Sequence, residues 1–269
     1  MEIFSPEAIR RDLHTRLLGK PLHYWPQVDS TNATLFRLLK DGADEGTVVV
    51  ADAQTAGKGR LGKPWFSPHG LNVYFSVLLK PPIHLGEARV FTLIGSLAIA
   101  DGLEEHNIQA QVKWPNDVLV GDKKIGGVLT EVQAKAGDVA QLILGIGVNV
   151  NIDRVAMDRL FGEAAAGATS VHEILGHTID RTAFIAQLLE QLEKRYERFQ
   201  SNGKDALLDE WKQRSFLGQR VRVKENERHV EGVAMDLDEE GCLVVRLDDG
   251  LSIHVREGEV APWGKRVND

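Results

Sequence analysis

Residues 54–68 read Gln-Thr-Ala-Gly-Lys-Gly-Arg-Leu-Gly-Lys-Pro-Trp-Phe-Ser-Pro. Gly57, Gly59 and Gly62 let a backbone approach an anion closely and change shape. Lys58, Arg60 and Lys63 add three positive charges, and residues 55–68 hold no carboxylate. The glycines match G-x-G-x-x-G, and residues 57–63 match the first seven positions of a phosphate-binding P-loop. Both motifs must open a helix whose N-terminal amides hold phosphate. Here Pro64 and Pro68 follow, then a strand, and Pro64 stands where a P-loop has its magnesium-binding Ser or Thr. Neither motif fits. A basic glycine-rich loop standing alone is as a rule a solvated turn. Gln54 just before it and Trp65-Phe66 just after it favour a loop that grips a ligand.

Two further constellations follow. Residues 112–117 read Val-Lys-Trp-Pro-Asn-Asp, and residues 123–131 read Lys-Lys-Ile-Gly-Gly-Val-Leu-Thr-Glu. Lys113 and Lys124 flank a hairpin predicted to turn at Gly121-Asp122. On a short antiparallel pair they can project toward one cavity, although most lysines lie on the surface. Gly126-Gly127 inside a strand marks a place where a ligand approaches. Residues 145–151 read Gly-Ile-Gly-Val-Asn-Val-Asn, with Gly145, Gly147, Asn149 and Asn151 on one strand face. That face suits a flat heterocycle or a closely packed neighbour, and the spacing alone does not choose between them.

The elements that must position these residues are readable from pattern. Ser5-Pro6-Glu7 starts a helix with Ile9, Leu13 and Leu17 at helical spacing and a stop at Gly19. Residues 29–32 cap a second helix through Leu39. Runs 47–51, 72–79, 118–120, 125–132 and 142–150 read as strands, with a second turn at Gly137-Asp138. Residues 87–105 and 182–199 read as amphipathic helices, and Leu207, Leu208 and Trp211 mark another. After Ser215, strand-like runs at 219–224, 229–237, 242–248 and 250–256 predict a small barrel.

Composition sets outer bounds. The chain has 269 residues, 32 Lys plus Arg and 39 Asp plus Glu, for a net charge of −7. A nucleic-acid binder driven by net positive charge is disfavoured. Hydrophobic residues at 43% and charged residues at 26% exclude collagen, coiled coil and wholesale disorder. Cys242 stands alone, which rules out an intrachain disulfide and fits a reducing compartment; in its apolar run it reads as a small buried hydrophobe. There is no secretory signal and no apolar run near the roughly 20 residues of a membrane helix. The expectation is a cytoplasmic protein with no membrane partner.

The segments at 29–32, 54–68, 113–117, 124–131 and 145–151 jointly resemble the biotin protein ligase family, in its order and spacing, over about 120 residues. The C-terminal barrel resembles the small SH3-like domain of those ligases. The resemblance implies an α+β fold of class II synthetase type: a mixed, largely antiparallel sheet with helices over residues 1–214, then an SH3-like barrel over 215–269. The family activates biotin with MgATP as biotinyl-5′-AMP, then transfers biotin to one lysine of a carrier domain, typically of acetyl-CoA carboxylase. Its members often form homodimers. The single helix expected before Tyr24 leaves no room for a helix-turn-helix. The resemblance is therefore to the ligase-only type, with no nucleic-acid partner. Lys58 stands where many members have Arg, which keeps the charge but not the bidentate fork.

By the same resemblance, Arg60 and Lys124 are the catalytic pair, bridging the biotin carboxylate and the α-phosphate. Those two anions repel by about 4 kcal/mol per unit pair at 4 Å and an effective dielectric near 20. Biotin falls to Ser30, Thr31, Asn32, Gln54, Gly57, Lys58, Gly59, Arg60, Lys124, Gly126 and Gly127. ATP and the adenylate fall to Arg60, Trp65, Lys113, Asn116, Lys124 and Asn149. Magnesium arrives mainly through ATP, and Asn116 and Asp117 hold either the lysines or the metal. Trp114 and Pro115 pack. Residues 57–63 form a mobile loop that excludes water, and residues 164–170 a second flexible loop over the nucleotide. No covalent enzyme intermediate is expected. The rivals are a lipoate ligase, whose Arg-Arg and His-Asp signature is missing here, and a non-catalytic biotin sensor acting through DNA.

Overall fold

The computed structural model describes residues 5–134, 140–225 and 228–262. In chain order the elements are α1 (Pro6–Asp12), β1 (Leu22–Trp25), α2 (Thr31–Lys40), β2 (Val48–Ala51), β3 (Val73–Leu79) and α3 (Ala88–Glu104). Then come β4 (Gln111–Lys113), β5 (Asp117–Val120), β6 (Lys123–Ala134), β7 (Ala140–Val148), α4 (Arg154–Phe161) and α5 (Val171–Leu175). The chain ends with α6 (Arg181–Asn202), α7 (Asp205–Gln213), β8 (Arg220–Glu225), β9 (Arg228–Leu237), β10 (Leu243–Arg246), β11 (Ser252–Val255) and β12 (Glu259–Pro262).

The β-branched and apolar runs build a sheet of order β1-β2-β3-β7-β6-β5-β4. Its β1–β2 pair is parallel and the other five pairs are antiparallel. Alternation of side chains assigns its faces. Val48, Val50, Val77, Leu79, Leu142 and Leu144 join α3 and α6 in the main core. Val49, Leu78 and Ile143, one residue out of step, pack against Leu35 and Leu39 of α2. Ser76, Gly145 and Gly147 share this second face by parity, so α2 and the glycines lie on one side of the sheet.

A smaller antiparallel sheet of order β11-β10-β9-β8-β12 follows. The four expected runs form β8 to β11, and residues 259–262 add a fifth strand, β12. Its apolar side shares a core with Leu93, Leu97 and Ala100 of α3, with Val112 and Trp114, and with Leu208 and Trp211 of α7. Cys242 is buried beside this sheet as a small hydrophobe. The hairpin turn falls at Gly121 as expected, with φ of 61°. The expected turn at Gly137-Asp138 lies outside the described residues. No helix among the described residues is long and apolar enough to cross a membrane.

One boundary departs from the sequence pattern. α1 stops at Asp12 rather than running to Gly19. The cause is distant in sequence. The buried Glu193 carboxylate of α6 accepts the backbone N–H groups of Arg16, Leu17 and Leu18 at 2.5, 2.8 and 2.7 Å, and Glu190 accepts that of His14. Those amides therefore point at α6, where a helix would have turned them back along their own axis. Replacing Glu193 by Ala strands these amides, so we expect a loss of about 2–4 kcal/mol in urea unfolding. A shift under half a kcal/mol would show that the clamp contributes little.

Candidate active site

The site grows from the β4–β5–β6 meander. Register pairs Lys113 with Asp117, and a bulge between Val118 and Leu119 shifts the next strand so that Lys124 faces the same carboxylate. Lys124 Nζ lies 2.5 Å from Asp117 Oδ1, and Lys113 Nζ lies 3.8 Å from Oδ2. A Cβ on Gly127 would stand 3.2–3.3 Å from Lys124 Cε and Nζ, so this glycine leaves the lysine room to lie along the strand. Burial pushes the Asp117 carboxyl up, but Lys124, Lys113 and Arg60 outweigh it and hold the group below the ordinary carboxylate range. Three cations around one carboxylate leave surplus positive charge for a ligand anion. Of the two roles open to Asn116 and Asp117, Asp117 holds the lysines. The Asn116 amide donates to the Val128 carbonyl and so ties down β6.

A polar chain runs from α2 to the glycine loop. The backbone N–H and hydroxyl of Thr31 both donate to Gln54 Oε1, at 2.9 and 3.2 Å. Gln54 Nε2 donates to Ser67 Oγ at 2.8 Å, and Ser67 donates to the Trp65 carbonyl at 3.0 Å. The fully buried Ser76 hydroxyl sits 2.7 Å from Thr31 Oγ1 and 2.6 Å from Asn32 Oδ1; its one proton goes to either. Asn32 is buried and donates to Glu131 at 2.7 Å, so it braces α2 against β6. Ser30 is the N-cap of α2, but its side chain makes no capping hydrogen bond.

The glycine loop folds on itself with no helix after it, in agreement with the rejected P-loop reading. Trp65 N donates to Gly57 O, Gly59 N to Lys63 O, and a single 3-10 turn spans Arg60–Gly62. A Cβ on Gly57 would stand 2.6 Å from the Trp65 carbonyl, 2.8 Å from Ser67 Oγ and 3.0 Å from Gln54 Nε2, so only glycine fits. The glycine face of β7 is not bare. The Trp65 indole lies on Gly147, 2.6 Å from where a Cβ would be, and the Asn32 amide covers Gly145. The flat heterocycle on that face is the chain's own. Lys124 Nζ stands 5.2 Å from the Trp65 ring centre. Trp65 Nε1 is buried with no hydrogen-bond partner among the described residues.

Arg60 acts on Asp117 through its charge, and its hydrogen bond goes elsewhere. Its Nη1 donates to the Gly258 carbonyl of the small sheet at 3.1 Å. Burial pulls its pKa down, while Glu257, Asp117 and Glu259 pull it up. β7 ends at Val148, so Asn149 and Asn151 lie past the strand and not on its face. Asn149 is buried, and its amide donates to the Thr169 carbonyl. Thr169 N donates to Lys124 O, so residues 164–170, mostly a 3-10 turn, adjoin the lysine. Trp114 packs as expected, buried with Nε1 on Gly241 O at 3.0 Å. Ser67, Ser76 and Glu131 were not singled out in the sequence; the one signal was Ser76, the one small polar residue in the run of β3.

Comparison with known proteins finds relatives over most of the chain. Residues 24–149 match the Biotin/lipoate A/B protein ligase family, and residues 216–261 match the Biotin protein ligase C terminal domain. The chain is 36% identical to the Bacillus subtilis bifunctional ligase/repressor BirA over 249 residues, 92% of this chain and 76% of the relative. It is 30% identical to the Mycobacterium tuberculosis biotin--[acetyl-CoA-carboxylase] ligase, covering 95% and 96% of the two chains. Among solved structures it resembles the Aquifex aeolicus biotin protein ligase in complex with biotin and ATP. The TM-score is 0.74 at 32% identity, over 90% of this chain and 98% of that one.

The Asp117 cluster generates a stability prediction. Its folded pKa lies below the unfolded value of about 3.9. The stabilisation is therefore present above that pH and lost as pH falls through the folded pKa. Asp117→Asn should lower the urea midpoint at pH 7 by the equivalent of about 1–3 kcal/mol, with the gap to wild type closing below about pH 4. A gap independent of pH would contradict this.

Proposed function

The chain belongs to the biotin protein ligase family, and from that membership we propose that biotin and ATP react on the α2 face of its large sheet, between Asp117 and Gln54. The protein activates biotin with ATP to biotinyl-5′-AMP and transfers the biotin to a specific lysine of a biotin carboxyl carrier protein, releasing pyrophosphate and AMP. We take residues 1–214 as the catalytic domain and 215–269 as the barrel domain, working in the cytoplasm.

The observation that carries the assignment of the site is the excess of cations there. Lys113, Lys124 and Arg60 act on one carboxylate, Asp117, of the β4–β5–β6 meander. In the first step a biotin carboxylate oxygen attacks the α-phosphorus, and the bond to the bridging oxygen of pyrophosphate breaks. Lys124 and Arg60 offset the repulsion between the two anions, most strongly in the transition state. In the second step the carrier lysine, as a neutral amine, attacks the acyl carbon and AMP leaves. No enzyme nucleophile is needed. Thr31, Gln54 and Ser30 serve the ureido half of biotin, and Trp65 the rim of the nucleotide. Asn149 serves adenine once its amide is shared with Thr169.

Magnesium enters with the phosphates of ATP. Among the described residues no three carboxylate, histidine or cysteine side chains gather as a metal site, and Asp117 is already engaged by two lysines. When bound, the ion would supply charge neutralisation for the departing pyrophosphate, held mainly through the nucleotide, with Asp117, among the described residues, the protein group near enough to the lysines to assist.

Three outcomes test this reading. With biotin, MgATP and a carrier domain, intact mass of the carrier should rise by one biotin; labelling with lipoate in place of biotin would refute it. Lys124→Ala should slow single-turnover adenylate formation by about a hundredfold while biotin binding changes little, the scale of losing one preorganised charge contact. Unchanged adenylation would remove Lys124 from its role. Arg60→Ala should release the adenylate to solvent faster than wild type, and retention as long as wild type would oppose that assignment.

A further inference from the structure

The barrel reaches into the ligand loop at two adjacent places. Arg60 Nη1 donates to the Gly258 carbonyl at 3.1 Å, and Lys63 Nζ lies 2.7 Å from Glu259 Oε1. The cations are three residues apart on one loop, and the acceptors are consecutive at the start of β12. Gly258 has φ of 152°, a backbone conformation that side-chain-bearing residues rarely adopt, so the direction of its carbonyl depends on glycine. The barrel is itself a firm anchor. It shares a hydrophobic core with α3 and α7, and Gly241 accepts the indole N–H of Trp114, next to Lys113.

We propose that Glu259 is a positioning residue for the glycine loop: with Gly258 it holds the unliganded loop against the barrel and keeps Arg60 parked until substrate anions draw it away. An exposed lysine–carboxylate pair alone contributes little. Here the two contacts share one short loop, so the Lys63 pair reduces the freedom that Arg60 would otherwise have to lose, and the two form or break together. Among the described residues the Gly258 carbonyl is the acceptor of Arg60, which leaves other donors of its fork for a ligand. A carboxylate plus an α-phosphate offers a stronger set of charge-assisted bonds than one carbonyl, so Arg60 exchanges partners as the reactants arrive. The proposal draws on the preceding reading for which anions displace Arg60. The contact between barrel and loop is tested without them.

Limited proteolysis by trypsin reads the loop directly, because Lys58–Gly59 and Arg60–Leu61 are cleavable and Lys63–Pro64 is not. In ligand-free protein, Glu259→Gln should raise cleavage at those two bonds three- to tenfold with an unchanged thermal midpoint. Lys63→Met should do the same, the double variant should go no further than either single one, and Glu259→Asp should restore most of the protection. In turnover, Glu259→Gln should raise the KM for biotin several-fold with kcat within twofold. Cleavage equal to wild type in Glu259→Gln and Lys63→Met, or effects of the two that multiply in the double variant, would overturn the proposal. Failure to biotinylate a carrier with normal loop protection would instead count against the functional reading and leave the latch standing.

Discussion

Asp117 is the point on which the site depends. Three cations cannot be gathered beside one short hairpin without opposition: each like-charged pair at 4 Å is unfavourable by about 4 kcal/mol at an effective dielectric near 20. One carboxylate placed among them, 2.5 Å from Lys124 and 3.8 Å from Lys113, makes the cluster tolerable without neutralising it. Glu257 and Glu259, leading into β12 of the small sheet, answer part of the remaining charge at Arg60. A ligase that joins a carboxylate to a phosphate brings two further anions. The bulge in β5–β6 and the missing side chain at Gly127 are the means by which this charge arrangement fits on a strand pair.

Close approach is the second theme, and its agent is glycine. Gly57 admits the Trp65 carbonyl and the Gln54 amide, Gly147 admits the Trp65 indole, and Gly145 admits Asn32. These contacts fasten the loop and α2 onto one face of the sheet. Trp65 thereby connects the two glycine-rich segments, lying on β7 while its backbone closes the loop, with Lys124 near its ring. This face of the sheet is thus organised by the chain's own flat and polar groups.

The small barrel belongs to this arrangement. It buries its apolar side against α3 and α7, takes a hydrogen bond from Trp114, and meets Arg60 and Lys63. Two catalytic-side segments, 57–63 and 113–114, therefore touch it directly. The ligand loop is braced on one side by the large sheet and on the other by a domain whose own sequence carries no catalytic motif.

Much was decided by the sequence itself. The glycine spacing, the proline that forbids a P-loop helix, the Gly121 hairpin, the start of α2 within residues 29–32 and the change from mixed elements to short strands after residue 215 are all local signals. They appear in the structure because turn, cap and pleat preferences act over a few residues. Lys113 and Lys124 were also legible as a pair, since one hairpin relates them. Only the tertiary structure decided what depends on distant partners. α1 ends at Asp12 because Glu193 captures amides about 180 residues before it. The glycine face of β7 is occupied by Trp65 because the loop folds back over the sheet. Arg60 donates its hydrogen bond to Gly258, 198 residues away. Local patterns encode backbone conformation; which carbonyl or carboxylate a long, flexible cation finally reaches is set by packing between elements, and packing leaves no period in the sequence.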